Sequence, residues 1–225
     1  MTELPRAAFG TLVMVAIDGT LEEAELEPEE RAHFAQLGDV RRRTWLAGRV
    51  ALRRALSTVG ARIEPVLTGS RGEPRLPEGV AASIAHKESV AVALADLALH
   101  TLGVDVEYDR PPRVDIVRRV LTPHEVEQRQ MLCEADRARA VPVAFSVKEA
   151  IYKAIHPFCA RYVGFQEVEL DLRSLREGAV GVRLLLAPHP FTAGSLEVSA
   201  RWESATSPSG EPLLIAMARA ERRAD

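Results

Sequence analysis

The chain has 225 residues, of which 47% are hydrophobic and 27% charged, as is typical of a globular protein with one large or two small cores. A net charge of −3 excludes a general electrostatic attraction to nucleic acid or to an anionic membrane, so any basic surface must be local. The two cysteines, Cys133 and Cys159, are too few for a disulfide framework or an ordinary zinc site, and they indicate a reducing, cytoplasmic compartment. Residues 11–17 are apolar but too short for a signal peptide or a membrane span.

An arginine-rich helix is predicted at residues 40–58, after a first strand at residues 8–17. Its apolar side chains recur at helical spacing and define an inward face. Arg42, Arg49 and Arg53 are seven and four residues apart and therefore share another face. Because guanidinium groups bind phosphate in a bidentate manner, such a row can hold a multiply phosphorylated ligand. A solvated basic surface and a nucleic-acid-binding helix are the alternative interpretations.

The next part of the chain predicts a small sheet. Residues 68–80 are rich in Gly and Pro and indicate a loop. Strands follow at residues 82–87 and 90–94, joined by a tight turn, and an acidic strand follows at residues 102–108. Three short strands in succession predict that all three lie side by side in one antiparallel sheet.

The acidic strand carries two carboxylates on one face. Because side chains alternate along a strand, Val104 and Val106 point into a core while Asp105 and Glu107 lie together on the other face. Two such carboxylates repel each other, and burying them without a partner is costly. A cation between them resolves both problems, and hard oxygen ligands without Cys or His suit Mg²⁺. The alternative is an acidic strand whose polar face is exposed to water.

A second helix is predicted at residues 141–155, opened by Pro142 and closed by Pro157. It places Glu149 and Lys153 one turn apart on the same face. An ordinary surface Glu–Lys pair is the alternative interpretation. Four further strands are predicted, at residues 166–172, 180–186, 195–203 and 212–219.

Two motifs in this order resemble a known family. Two segments are similar to the signature motifs of the 4′-phosphopantetheinyl transferases, of the larger single-chain type associated with surfactin and siderophore synthetases. They are Gly-Val-Asp-Val-Glu at residues 103–107 and Phe-Ser-Val-Lys-Glu-Ala-Ile-Tyr-Lys-Ala at residues 145–154. The resemblance implies an α+β fold with two pseudo-symmetric halves, residues 1–100 and 101–225, each a small, mainly antiparallel sheet packed with a long helix. It also implies a monomer.

The activity implied by the resemblance is the Mg²⁺-dependent transfer of the 4′-phosphopantetheine arm of coenzyme A to a serine of an acyl or peptidyl carrier protein. Adenosine 3′,5′-bisphosphate is the product released. Mg²⁺ is then expected at Asp105, Glu107 and Glu149. Glu149 is also the expected general base, and Lys153 is expected to contact a diphosphate oxygen, with Lys148 as a weaker candidate.

The arginine-rich segment is similar to the family segment that holds coenzyme A, notably its 3′-phosphate. The residues that the resemblance assigns to coenzyme A are Arg41, Arg42, Arg49, Arg53, Arg71, Gly72, His86 and Lys153.

Two other functions would use similar residues. A Mg²⁺-dependent nucleotide hydrolase needs the same carboxylates, and it would cleave coenzyme A without a carrier protein. A non-enzymatic protein could bind nucleic acid through the arginine-rich helix, but the negative net charge and an aromatic content of 5% oppose this. We therefore expect coenzyme A and a carrier protein as partners, and neither nucleic acid nor a membrane.

Overall fold

The chain folds into two compact units, seen in a computed structural model that describes residues 9–61, 65–69, 72–98, 100–173, 175, 177–186 and 195–223. The first unit ends at residue 99 and includes Ser207–Gly210, and the second consists of His100–Thr206 and Glu211–Asp225. The strands are β1 (Thr11–Ala16), β2 (Val80–Lys87), β3 (Val90–Leu97), β4 (Thr101–Tyr108), β5 (Val168–Leu170), β6 (Gly178–Val180), β7 (Val182–Leu184), β8 (Leu196–Thr206) and β9 (Pro212–Arg222). The α-helices are α1 (Pro28–Phe34), α2 (Asp39–Thr58), α3 (Val117–Val120), α4 (Pro123–Gln130) and α5 (Glu134–Cys159). Short 3-10 helices occur at Glu23–Glu25 and Phe165–Glu167.

The first unit is an antiparallel sheet covered by the long helix α2. Strand β3 lies in the middle of this sheet, between β1 and β2. The predicted arginine-rich helix is confirmed, and its apolar residues Val50 and Leu52 are buried in a core shared with the sheet. A Cβ atom at Gly48 would lie 3.0 Å from Cγ2 of Ile84, so the helix approaches β2 closely at this glycine. The helix is therefore held on the sheet by packing along one face, with its arginines distributed over the remainder.

The second unit repeats this plan with a larger sheet and a longer helix. Its four strands run in the order β4-β9-β8-β6, every neighbouring pair antiparallel, and β5 and β7 form a separate two-stranded sheet. Helix α5 packs on β4, β9 and β8. Their shared core includes Val147 and Ile151 from the helix and Trp202, Ala216 and Ala218 from the sheet. The predicted α+β class, with antiparallel sheets and long helices, is confirmed.

Gly103 sets the distance between α5 and β4. A Cβ atom at this position would lie 1.8 Å from the carbonyl oxygen of Ala150 and 2.8 Å from the amide nitrogen of Ala154, both backbone atoms of α5. The hydroxyl of Thr101, two residues earlier on the same strand face, donates to the carbonyl oxygen of Ala154 over 2.6 Å. The helix backbone therefore lies directly on the strand face that also carries Asp105 and Glu107.

The predicted neighbours of the acidic strand were wrong. β4 pairs with β9, from Thr101 opposite Ala220 to Tyr108 opposite Leu213, and not with β3. Both sides of β3 are already occupied, by β1 and by β2. β3 and β4 are consecutive in the sequence but do not pair, because β3 has no hydrogen-bonding edge left for β4.

The predicted ends of the second long helix were also wrong. Helix α5 runs from Glu134 to Cys159 and contains both Pro142 and Pro157. A proline inside a helix removes one backbone hydrogen bond and crowds the preceding turn. Here the helix continues through both positions because it is buried along much of its length, from Ala140 to Cys159. Tertiary packing outweighs the local signal.

Candidate functional site

An acidic group forms where α5 lies on β4. Val104 and Val106 are fully buried on one face of the strand, as the alternation predicted, and Asp105 on the other face is only 8% exposed. One carboxylate oxygen of Asp105 accepts a hydrogen bond from the Ser146 hydroxyl over 2.9 Å. The other accepts one from the Lys153 ammonium, also over 2.9 Å. Both donors belong to α5, so the helix covers the carboxylate rather than leaving it in water.

Glu149 of α5 shares this acidic environment. Burial raises the pKa of its carboxyl, the charge of Asp105 raises it further, Lys153 lowers it, Glu107 raises it again, and Arg119 lowers it. The charges of Asp105 and Glu107, the two carboxylates of β4 that the sequence singled out, thus both act on the third, Glu149. Arg119 is a neighbour that sequence reasoning did not identify.

The donor set fits a divalent cation, although the side chains are not arranged around one. Among the described residues, no group of three His, Cys, Asp or Glu side chains is arranged to hold a metal ion. Both oxygens of Asp105 already have protein donors. The chemistry of the group nevertheless suits Mg²⁺, since carboxylate oxygens are hard ligands of the kind this ion prefers.

Lys148, the weaker candidate for a diphosphate contact, has a structural role instead. Its side chain is buried, and its ammonium donates to Glu125 over 2.6 Å, to the Val120 carbonyl over 2.8 Å and to the Phe165 carbonyl over 3.1 Å. These acceptors use all three N–H groups of a lysine. Burial lowers the pKa of Lys148, whereas the charge of Glu125 raises it. Lys148 therefore ties α5 to neighbouring segments rather than to a ligand.

Glu125 completes this buried network. Its carboxylate also accepts from the backbone amides of Thr122, over 2.6 Å, and Leu170, over 2.7 Å. One buried ion pair thus joins α5 to the start of α4 and to β5. The sequence contained a signal for part of it, because Thr122 and Glu125 have the spacing of a helix capping box. No pattern in the sequence predicted the ion pair between Glu125 and Lys148.

A small cavity opens beside Glu149. Its volume is about 90 Å³. The lining residues, mostly apolar or aromatic, are Lys148, Glu149, Tyr152, Tyr162, Val163, Gly164, Phe165 and Val168. Because Glu149 belongs both to this lining and to the acidic group, an extended molecule bound in the cavity would have one end at the carboxylates.

The first unit contains a buried arginine with unused hydrogen-bonding capacity. Arg49 is only 4% exposed, and its guanidinium lies 4.7 Å from the centre of the Trp45 ring. Its Nη2 donates to the Thr68 hydroxyl over 3.0 Å, while its Nε has no hydrogen-bond partner among the described residues. Burial lowers the pKa of Arg49 to about 10, with Arg53 lowering it further and Glu30 opposing them. Such a group gains from any anion that reaches it.

The other predicted arginines have different surroundings. Arg53 forms ion pairs with Glu27, over 3.1 Å, and with the buried Glu30. Arg42 donates to the backbone carbonyls of Phe34 and Ala35 at the end of α1. Arg41 is exposed. The predicted row is therefore not a uniform face, since Arg42 and Arg53 also bind the segment around α1.

The remaining predicted residues of this unit are His86, Gly72 and Arg71. His86 is exposed near the end of β2, opposite Ala91. Gly72 has a positive φ of 90° and donates to the Gly69 carbonyl, as expected of a glycine in a turn. Arg71 lies outside the described residues.

In the second unit a buried aspartate is bonded to an ammonium, and in the first unit a buried guanidinium lacks a full set of partners among the described residues; both are groups suited to charged, phosphorylated ligands. Comparison of the sequence with known protein families identifies the family of the chain. Residues 29–96 match the sequence profile of the 4′-phosphopantetheinyl transferase N-terminal domain, and residues 101–207 match that of the 4′-phosphopantetheinyl transferase superfamily.

Individual relatives agree with the profiles. The 4′-phosphopantetheinyl transferase Svp of Streptomyces mobaraensis is 33% identical over 75% of this chain and 69% of its own length. PptT of Mycobacterium tuberculosis is 29% identical over 68% of each chain. Npt of Nocardia iowensis is 31% identical over 66% of this chain and 67% of its own length.

The chain belongs to the 4′-phosphopantetheinyl transferase superfamily. It is a transferase that uses coenzyme A as its substrate and moves the phosphopantetheine group to carrier proteins. Within the part of the chain that the structure describes, there is no helix both long enough and apolar enough to cross a membrane.

Proposed function

We propose that this transferase depends on Mg²⁺ and uses the acidic group of the second unit as its reaction centre. The observation that supports the proposal is the contact of Asp105 on β4 with Ser146 and Lys153 of α5, the helix that also carries Glu149. Asp105, Glu107 and Glu149 would hold the ion, and their hard oxygens suit it. When bound, Mg²⁺ would neutralise charge on the diphosphate oxygens of coenzyme A.

The proposed reaction is a phosphoryl transfer. The serine oxygen of the carrier forms a bond to the β-phosphorus of coenzyme A, and the bond from that phosphorus to the bridging oxygen breaks. Adenosine 3′,5′-bisphosphate leaves with the bridging oxygen and its electron pair. Glu149 is the proposed acceptor of the serine proton.

Lys153 is the residue we assign to the diphosphate. Its ammonium donates to Asp105 and to the Val104 carbonyl, so it already lies within the acidic group. An ammonium at this point can compensate charge on a phosphate oxygen as the bond breaks. The cavity lined by Tyr152 and Phe165 is the proposed location of the pantetheine arm, because it adjoins Glu149 and is mostly apolar.

For the nucleotide end of coenzyme A we propose Arg49 as the principal phosphate ligand. It is buried, charged and incompletely hydrogen-bonded, so an anion would satisfy a group that the protein leaves unsatisfied. We propose further contacts to coenzyme A from His86, Arg41, Arg71 and Gly72. Arg42 and Arg53 are also proposed contacts, and a phosphate would have to compete with their present protein partners. We also predict that the protein is a monomer and that it is cytoplasmic.

The proposal is tested by the intact mass of apo carrier proteins from fatty-acid, polyketide and nonribosomal peptide synthesis, each incubated with coenzyme A and Mg²⁺. The wild type should add one phosphopantetheinyl group to at least one carrier. Glu149→Gln should fold normally and transfer nothing. Glu197→Gln, the same change at an exposed position of β8, is the matched control and should transfer at the wild-type rate. Full transfer by Glu149→Gln would remove this residue from both proposed roles.

A further inference from the structure

The hydroxyl group of Thr68 uses only part of its hydrogen-bonding capacity. Its oxygen lies 3.0 Å from Nη2 of Arg49. Because a guanidinium group contains only donors, the hydroxyl must be the acceptor in this contact. The O–H of Thr68 is therefore left to donate elsewhere, and no residue in the described part of the chain accepts a hydrogen bond from it.

Arg49, on the other side of this hydrogen bond, also has unused donors. Among the described residues, the Thr68 hydroxyl is its one hydrogen-bond acceptor, and Nε has none. A buried guanidinium that lacks acceptors is costly, and an anion bound beside it would remove part of that cost. Arg49 and Thr68 thus form a connected pair of donors whose remaining N–H and O–H groups suit an anion.

The backbone around Thr68 is held in place. Two residues earlier, the amide of the buried Val66 donates to a carboxylate oxygen of Glu30 over 2.9 Å. Thr68 itself forms an isolated antiparallel bridge with Pro74. The threonine therefore belongs to a hydrogen-bonded segment rather than to a free loop, and this segment holds its hydroxyl beside Arg49.

Glu30 joins this segment to two helices. Its side chain is only 1% exposed. The oxygen that does not bind Val66 accepts from the amide of Glu27, at the start of α1, over 2.9 Å and forms an ion pair with Arg53 of α2. One buried carboxylate thus connects α1, α2 and the segment that carries Thr68, so the position of the threonine relative to α2 is fixed.

From this geometry we propose that Thr68 is a phosphate ligand, and that its hydroxyl donates to the same phosphate as Arg49. A phosphate monoester has three strong acceptor oxygens, so it can accept from a guanidinium and a hydroxyl at the same time. In coenzyme A the group of this class is the 3′-phosphate. The inference rests on the proposed function, because it concerns the phosphate assigned to Arg49.

The test is calorimetric binding of two nucleotides to the full chain, adenosine 3′,5′-bisphosphate and adenosine 5′-monophosphate, of which the second lacks the 3′-phosphate. Thr68→Val keeps the size of the side chain and removes the hydroxyl, so it should bind the bisphosphate about tenfold more weakly than the wild type. Its affinity for the monophosphate should equal that of the wild type. Thr68→Ser retains the hydroxyl and should restore binding of the bisphosphate.

Two further variants serve as a control and a reserve. Thr58→Val is the same change at the exposed last residue of α2, and it should leave both affinities unchanged. Thr68→Ala removes the same hydroxyl and replaces Thr68→Val in the test if that variant does not fold.

A second experiment separates a ligand from a residue that only orients Arg49. In Arg49→Ala no guanidinium is left to orient. Adding Thr68→Val to this variant should still weaken binding of the bisphosphate, by about threefold, because the hydroxyl contacts the phosphate itself. No further loss in the double variant would overturn the ligand role, since Thr68 would then act only through Arg49.

The outcomes distinguish this inference from the proposed function. Weaker binding of the bisphosphate by Arg49→Ala, together with wild-type binding by Thr68→Val, would overturn the role of Thr68 alone. Equal losses by Thr68→Val for both nucleotides would overturn it as well, because the contact would not be to the 3′-phosphate. Weaker binding by Thr68→Val, together with wild-type binding by Arg49→Ala, would support Thr68 and count against the proposed role of Arg49.

Discussion

Replacing Gly103 by alanine should separate the two carboxylate-bearing elements. The new Cβ would lie 1.8 Å from the Ala150 carbonyl oxygen and 2.8 Å from the amide nitrogen of Ala154. Ordinary contact begins near 3.4 Å, so α5 must retreat by about 1.6 Å, and no side-chain rotation can relieve a clash with backbone. Overpacking of this kind should cost about 3 kcal/mol of unfolding free energy.

The same shift should reduce activity more than stability alone explains. Glu149 lies on the displaced helix and Asp105 on the strand, so the acidic group would open. A misplacement of about 1 Å in a catalytic site can slow a reaction roughly 100-fold, and we expect at least this loss of transfer rate in Gly103→Ala.

Urea unfolding and the rate of carrier modification measure the two effects. Gly38→Ala is the matched control, because a Cβ at this N-cap position meets nothing within 4 Å and its φ of −71° suits alanine. It should lose no more than about 1 kcal/mol and retain activity. Wild-type stability and wild-type transfer in Gly103→Ala would refute the close approach of α5 to β4.

Three further predictions concern single groups. Lys148→Met should lower the free energy of unfolding by about 3–5 kcal/mol in urea titrations, because it leaves Glu125 buried without its charge partner. Arg49→Ala should raise the KM for coenzyme A by about 10- to 100-fold, yet show little difference from the wild type with 3′-dephospho-coenzyme A; an equal loss with both substrates would contradict a 3′-phosphate contact. The raised pKa of Glu149 means that the folded, metal-free protein holds this proton more tightly than the unfolded chain does, so its stability should fall as the pH rises from the ordinary value of 4.5 through the higher folded pKa. The urea midpoint of the wild type should fall with pH across this range, and this fall should be absent from Glu149→Gln. Identical pH profiles of the two proteins would contradict a raised pKa of Glu149.

Local periodicity was enough to predict the elements that carry the site. The alternation of Val104, Asp105 and Val106 gave the two faces of β4, and helical spacing placed Glu149 and Lys153 on one face of α5. Both patterns depend only on residues close in sequence. This is why they survive in the folded chain.

Contacts between distant segments could not be predicted in the same way. β4 pairs with β9, whose residues follow it by more than a hundred positions, and no local pattern marks that pairing. Pro142 predicts a helix start because proline favours the first turn, but α5 is buried on both sides of this residue and continues through it. The hydrogen bond from Ser146 to Asp105 likewise depends on how two elements pack.

The central claim, a divalent ion held by Asp105 and its neighbouring carboxylates, is tested most directly by the rate of carrier modification as a function of free Mg²⁺. We predict a saturable dependence for the wild type, no transfer in excess EDTA, and no transfer by Asp105→Ala at any Mg²⁺ concentration that saturates the wild type. Modification at the full rate in EDTA, or an unaltered Mg²⁺ dependence in Asp105→Ala, would contradict it.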